Sequence, residues 1–533
     1  MKHPLIITLA LPLLGALATS AANPYLPLWE HIPDGEPYLF DDPDNPGKKR
    51  VYIYGSHDML KSQYCGTDLV VWSAPVDSLD RWRYDGVIFE VTADASGAAL
   101  HPDGRGDVLY APDVAELTLP DGSKEYYLYP NNQGGGRNGM VAKASRPDGP
   151  FEVINWDPAD PRRTVGVLGF DPAVLIDDDG RVYGYWGFGT SHGAELDPAT
   201  MATVKPGCGI VTDLVSGLDQ PGQGHFYEAS SIRKIKDKYV LVYSRRAPAG
   251  EWGMPESNYT LAYAYADNPL GPYTYGGTII DARGRDTDAD GNPIPTATPN
   301  GNTHGSILEI DGRWWVFYHR QTGLDEYARQ AMVAPLEVNV TPGPGGKVEI
   351  SEAEYTSEGF ETSGLDPLRT YPAAVASHFT GPTLAYQTYP TMNYSGPYFE
   401  PSYIADHAVA DPYAEDINVN PVINCTDGSI LGYKYYNFDR LNGRHDIKLL
   451  LELIPGGVDG TLTIYTSAPW KGSPEPAGSY RLTSGQPSEP TTIAIPLTGI
   501  DTLSGKHPLY IRFSSPEQGK SLCSLLRLRF TAD

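Results

Sequence analysis

A chain of 533 residues exceeds one ordinary domain and predicts two or three. The net charge of −26 argues against nucleic acid or an anionic membrane surface as partner, since both reward Lys and Arg, and it suits a neutral substrate. With 57 Gly, 48 Pro and 36 Tyr against 13 Phe, the composition fits many short strands joined by tight turns. Four cysteines are too few and too scattered for a disulfide scaffold or a zinc site. Cys425 and Cys523 either pair with each other or stay apart; Cys65 and Cys208 are expected to be buried single thiols.

In chain order, the first element is a leader. Lys2 and His3 precede an apolar run from Leu5 to Leu17, and small residues follow from Ala18 to Ala22. This layout predicts a secretory signal peptide over residues 1–22, a secreted or periplasmic protein, and no membrane anchor, because the apolar run is too short to span a bilayer.

One pattern then recurs five times: a polar anchor, a short apolar strand, a turn, and a strand rich in Tyr or Trp. The first copy runs from Asp34 through Tyr38-Leu39-Phe40 to Val51-Tyr52-Ile53-Tyr54, and the second from Asp113 to Tyr126-Tyr127-Leu128-Tyr129. The third starts at Asp171, the fourth at Glu228 and the fifth at His304, ending in Trp314-Trp315-Val316-Phe317-Tyr318. Each copy predicts a β-hairpin, and anchors roughly 55 to 80 residues apart leave room for about four strands per unit. Such repeats predict an all-β fold, a five-bladed β-propeller over residues 23–340. Inner strands of a propeller start near its axis, so the five anchors are expected to converge in one funnel.

After residue 340 the pattern breaks. Residues 341–370 read as a linker or wrapping segment. Residues 371–533, with strands such as Ile430–Tyr436 and Leu509–Phe513, predict a second domain, a β-sandwich.

Converging carboxylates suit glycosidic bond hydrolysis. That reaction needs one protonated carboxyl to assist the leaving oxygen and one ionised carboxylate, standing roughly 6.5–9.5 Å apart when the second activates water and the anomer inverts. A third carboxylate can raise the acid's pKa. The segments Pro33-Asp34-Gly35-Glu36-Pro37, Gly169-Phe170-Asp171-Pro172 and His225-Phe226-Tyr227-Glu228-Ala229-Ser230 resemble the catalytic motifs of glycoside hydrolase family 43. The likeness extends to Tyr54-Gly55-Ser56-His57-Asp58, Ala111-Pro112-Asp113 and Asn302-Thr303-His304-Gly305-Ser306.

The resemblance implies a five-bladed propeller acting by inversion on arabinose- or xylose-containing glycans, with no cofactor required for the chemistry. It makes Asp34 the general base, with Glu36 the rival, Asp171 the pKa modulator and Glu228 the general acid. His304 matches a His that in some members stands beside a calcium ion; the other reading is a structural, hydrogen-bonding His. Arg329 resembles the family's sugar-binding Arg, with Arg320 the competitor. Asp58 either contacts the sugar or ends a strand, and Asp113 either orients the pocket or serves a turn. Trp72, Phe170 and Trp186 are candidates for the pocket wall or for the core.

The C-terminal region resembles the family 6-like carbohydrate-binding sandwiches appended to many such enzymes, with Trp470, Tyr435 and Tyr436 as stacking candidates. The activity expected first is removal of terminal α-L-arabinofuranosyl residues from plant cell-wall polysaccharide. β-Xylosidase, endo-arabinanase, exo-galactanase and a non-catalytic carbohydrate-binding propeller stand as rivals.

Overall fold

The computed structural model describes residues 22–59, 63–132, 135–218, 224–295, 302–322, 327–381, 396–402 and 409–533; the leader expected over 1–22 lies outside them except for Ala22. All five expected hairpins are present, and each opens a blade. Blade 1 comprises the antiparallel strands Glu36–Asp41, Lys49–Tyr54, Asp68–Pro75 and Arg83–Glu90. Blade 2 comprises Asp113–Thr118, Lys124–Tyr129, Ala142–Ala144 and Glu152–Val153. Blade 3 runs from Ala173–Ile176 through Val182–Gly187 and Ser191–Leu196 to Ile210–Thr212. Blade 4 has the longest strands, Phe226–Ile235, Lys238–Ala247, Ser257–Ala266 and Thr274–Asp281. Blade 5 has Ser306–Ile310, Arg313–Arg320 and Gln330–Leu336.

The ring must be closed, or blade 5 would present a row of unpaired backbone groups. The N-terminal segment closes it. The Asn23 side-chain amide donates to the carbonyls of Val333 (2.7 Å) and Thr356 (3.1 Å), its oxygen accepts from the Val333 N–H (3.0 Å), and the Tyr25 N–H donates to the Ala331 carbonyl (3.3 Å). Where the inner strands of blades 1 and 5 begin, Gly35 and Gly305 form a parallel bridge. Gly305 is required there, since a Cβ would lie 1.9 Å from the Phe317 carbonyl oxygen.

Beyond the ring, Val338–Val340 pairs with Val348–Ile350, and the chain then enters two packed sheets. One has the order His378–Thr380, Ile430–Asn437, Lys506–Ser514, Gly460–Tyr465, Gly478–Leu482. The other has Cys523–Thr531 between Val422–Ile423 and Lys448–Pro455. Strict alternation of buried and half-buried residues along Lys448–Pro455 is the signature of a strand with one face inward. A single apolar interior runs from Val242, Ile279 and Met332 of blades 4 and 5 to Leu431, Phe513 and Phe530 of the sandwich. Among the described residues no helix is long and apolar enough to cross a membrane.

The thiols depart from expectation in part. Cys65 is buried, but Cys208 is exposed, in a turn closed by its N–H on the Lys205 carbonyl (3.0 Å), just before the outermost strand of blade 3. Cys425 and Cys523 are both buried and unbridged.

Asn23 is fully buried and satisfies two strand groups that have no other strand beside them. Asn23→Ala is expected to cost about 1–3 kcal/mol for the groups left unpaired, read as a lower midpoint in chemical denaturation.

Candidate active site

Four of the five anchors meet around one cavity of about 490 Å³ on the propeller axis: Asp34, Asp171, Glu228 and His304. Local backbone geometry puts them there. Asp34 (φ 60°) and Asp171 (φ 49°) occupy the left-handed region immediately before their inner strands, a conformation that Asp tolerates better than most residues. Glu228 lies between two register shifts in the pairing of blade 4's first two strands, and bulges of this kind re-aim a side chain.

Asp34 is 4% exposed and held on every side. It accepts from Ser56 Oγ (2.5 Å) and from Arg329 Nη1 (3.0 and 3.2 Å), and its own N–H donates to His319 Nδ1 (3.1 Å). That last bond fixes the His319 tautomer, leaving Nε2–H to donate to the Asn302 carbonyl (2.8 Å). Burial alone would raise the Asp34 pKa, but the Arg329 guanidinium and the Ser56 hydroxyl hold it below the usual aspartate value.

Glu228 is tuned the opposite way. Burial and the neighbouring Asp34 carboxylate push it up to about 8, against the opposing pull of Arg329. Burial and the charges of Glu228 and Asp34 push Asp171 up as well. Asp171, however, accepts from Asn131 Nδ2 (2.9 Å) and from the Ala229 N–H (2.9 Å), and both donors favour its anion. The proton that the pair retains therefore belongs on Glu228.

Arg329 anchors this arrangement. Its Nε and Nη2 fork onto the two oxygens of Asp58 at 2.9 Å each, and its Nη1 reaches Asp34 and Asn302 Oδ1 (3.2 Å). The side chain is 1% exposed, and its face lies 4.8 Å from the Tyr64 ring centroid.

The model of glycosyl hydrolases family 43 matches residues 41–340. The chain belongs to glycoside hydrolase family 43. It is similar to a xylosidase/arabinosidase of Thermoclostridium stercorarium, 34% identical over 446 residues, 78% of this chain and 82% of that protein. An arabinoxylan arabinofuranohydrolase of Paenibacillus polymyxa is 29% identical over 324 residues, covering 56% of this chain and 45% of that one. A beta-xylosidase of Xylanibacter ruminicola is 30% identical over 231 residues, 37% of this chain and 62% of that one.

In this family 43 hydrolase the expected site residues divide. Phe170 and Arg329 line the cavity with the four anchors. Trp72 does not: it is fully buried between Trp29 and Tyr84, with its indole N–H on Glu30 (2.7 Å). Trp186 stacks on His192 and packs under Gly169, where a Cβ would meet its ring at 2.7 Å, so it belongs to the core behind Phe170. Asp58 is 1% exposed and saturated by Arg329 and the Cys65 N–H (2.9 Å); it holds the arginine and lies outside the cavity lining. Asp113 also lies outside the lining, accepting instead from Tyr38 Oη (2.5 Å) and the Val174 N–H (2.6 Å).

The rivals fall away from the pocket. Glu36 pairs with Arg233 (2.8 Å), and Arg320 binds Gln330 and the carbonyls of Ala374 and Ala376. Calcium takes six to eight oxygen ligands. His304 brings one imidazole, its Nδ1 3.6 Å from Asp171, and among the described residues no group of three or more His, Cys, Asp or Glu could hold a metal. These residues do not fit the calcium that one of the two readings put beside His304. Burial lowers the His304 pKa to about 4, so a neutral imidazole faces the cavity.

Several residues were not anticipated. Ser56 and Asn302 sit inside motifs already noted, and their spacing from Asp58 and His304 was the available signal. The rim residues Tyr227 and Tyr110 likewise lie inside or beside such motifs, whereas His319, Asn131 and Phe188 carried no signal.

A carboxyl whose folded pKa is raised is protonated in the folded chain while already ionised in the unfolded one. Stability is therefore lost as pH rises from the ordinary Glu range through about 8. Glu228→Gln removes that loss. Its melting temperature relative to wild type is expected to rise between pH 5 and about pH 8 and to level off above that, measured by calorimetry.

Proposed function

We propose that the protein is an exported, inverting exo-glycosidase that removes terminal α-L-arabinofuranosyl residues from arabinoxylan-type polysaccharide. The observation that carries the mechanism is the opposite tuning of two buried carboxylates in one cavity, Asp34 held ionised and Glu228 held protonated. In this reading Glu228 donates its proton to the leaving oxygen while Asp34 takes one from the water that attacks the anomeric carbon. Asp171, hydrogen-bonded to the Ala229 N–H next to Glu228, keeps the acid protonated and oriented. His304 faces the sugar as acceptor, while Arg329 Nη1, engaged with Asp34 and Asn302, holds the base in place.

Exo action is supported by the cavity's walls, which come from all five blades: Tyr64, Tyr110, Phe188, Glu228 and Asn302 each belong to a different one. A pocket ringed in this way receives a chain end. The pentose is supported by the relatives named for arabinosidase, arabinofuranohydrolase and xylosidase activity. β-Xylosidase is the second reading, favoured by the same names.

At the rim, Phe188 is 58% exposed and packs against Phe170 and Tyr227 with ring centroids 5.4 and 5.1 Å away. We assign this shelf to the sugar that bears the scissile residue, since an exposed aromatic face stacks on a pyranose ring. Phe188→Ala is expected to raise KM on arabinoxylan several-fold and to leave hydrolysis of a small aryl glycoside nearly unchanged.

Paired assays on aryl α-L-arabinofuranoside and β-D-xyloside, with the product anomer followed by NMR, test the whole reading. Inverted arabinose released faster than xylose is expected, with kcat/KM falling above about pH 8 as Glu228 ionises. Glu228→Gln should lower kcat about 10²–10⁴-fold on poor leaving groups and abolish that alkaline limb. A retained product anomer sinks the roles of Asp34 and Glu228; faster xylose release replaces only the sugar.

A further inference from the structure

Just past the catalytic anchors, the inner strands carry a second charged cluster that the chemistry does not use. Arg233 lies five residues after Glu228. Its Nη2 donates to Glu36 (2.8 Å) and to the Pro37 carbonyl (3.1 Å), two and three residues after Asp34. Its Nε donates to the carbonyl of Ile307 (3.0 Å), three residues after His304, and its guanidinium lies over Tyr38 at 4.7 Å. Tyr38 Oη donates to Asp113 of blade 2, which in turn accepts from the N–H of Val174, three residues after Asp171. Alongside, Ser231 and Ser306 join blades 4 and 5 at 2.6 Å. Every blade thus contributes a group within a few residues of its anchor.

We infer that Arg233 is a positioning residue, the hub of a girdle that fixes how far Asp34, Asp171 and Glu228 stand from one another. The cluster suits that task because every hydrogen bond made by Arg233 and Asp113 is charged or charge-assisted, and none of Arg233, Glu36 or Asp113 lines the cavity. Burial, with Asp113 adding to it, pushes Glu36 up to about 7, so the girdle's two carboxyls and one guanidinium are close to neutral together. A purely apolar axis would fill the same space without fixing five strand starts in one register.

The inference rests on the roles proposed above for the three carboxylates. It is tested on full-length Arg233→Met, Arg233→Lys and Asp113→Asn, at temperatures well below each variant's Tm. Two aryl pentosides that the wild type hydrolyses are used, one with a good and one with a poor leaving group, and rates are taken per folded molecule. For Arg233→Met, kcat on the poor leaving group should fall about 10- to 100-fold, the scale of a misplaced catalytic group. KM should stay within about threefold, the good leaving group should lose less, and Arg233→Lys should recover part of the loss. If Arg233→Met does not fold, Asp113→Asn, which keeps size and removes charge, must show the same split. A kcat within twofold of wild type beside a lowered Tm would reduce the girdle to a brace and overturn the inference. Full activity in Glu228→Gln would instead overturn the roles of the carboxylates and is read separately.

Discussion

Four carboxyl groups converge on one buried guanidinium, and this imbalance of charge governs the site. Arg329 can neutralise little more than one of Asp34, Asp58, Asp171 and Glu228, all of them buried. Leaving the remainder ionised in so buried a site is costly. Two outlets exist: hydrogen bonds to backbone and amide N–H, which Asp171 takes from Ala229 and Asn131, and retention of a proton, which falls to Glu228. In the proposed mechanism, the proton given to the leaving oxygen is thus held by the same shortage of positive charge that the fold creates.

The propeller makes such crowding affordable because each carboxylate is fixed by its own blade. The inner strand of a blade is hydrogen-bonded along its length to the next strand outward, so a carboxylate at its start has little freedom to move away from its neighbours. Repulsion among the anchors is borne by backbone ladders and by the stitch of Asn23 across blade 5. Relaxation, which would restore ordinary pKa values, is closed off.

How much of this was legible in the sequence depended on which force set each residue's place. The hairpins were readable because strand alternation and turn chemistry are local, and Asp34, Asp171 and Glu228 were readable because they recur at one phase of a repeat. The tryptophans were not. Trp72 and Trp186 lie in second strands or beyond, where an inward and an outward ring look identical in sequence, and contacts with Trp29 and His192 decide the matter. From its motif Asp58 could either contact the sugar or end a strand, and the long-range partner Arg329, which claims both of its oxygens, was not visible there. Likewise, Tyr436 of the sandwich is fully buried, and Trp470 stacks on His378 at 4.4 Å, so two of the three expected sugar platforms serve packing.

The apolar interior that passes from blades 4 and 5 into the sandwich changes what the second lobe means to the first. Phe399 covers the Arg320 guanidinium at 4.1 Å, while that guanidinium holds the carbonyls of Ala374 and Ala376. The Ser357 N–H donates to the Lys434 carbonyl (2.6 Å). A lobe joined in this way is no tethered accessory. In this chain its removal would leave blades 4 and 5 with their apolar outer face turned to water, so a propeller cut off at its last strand would be prone to stick to its own copies.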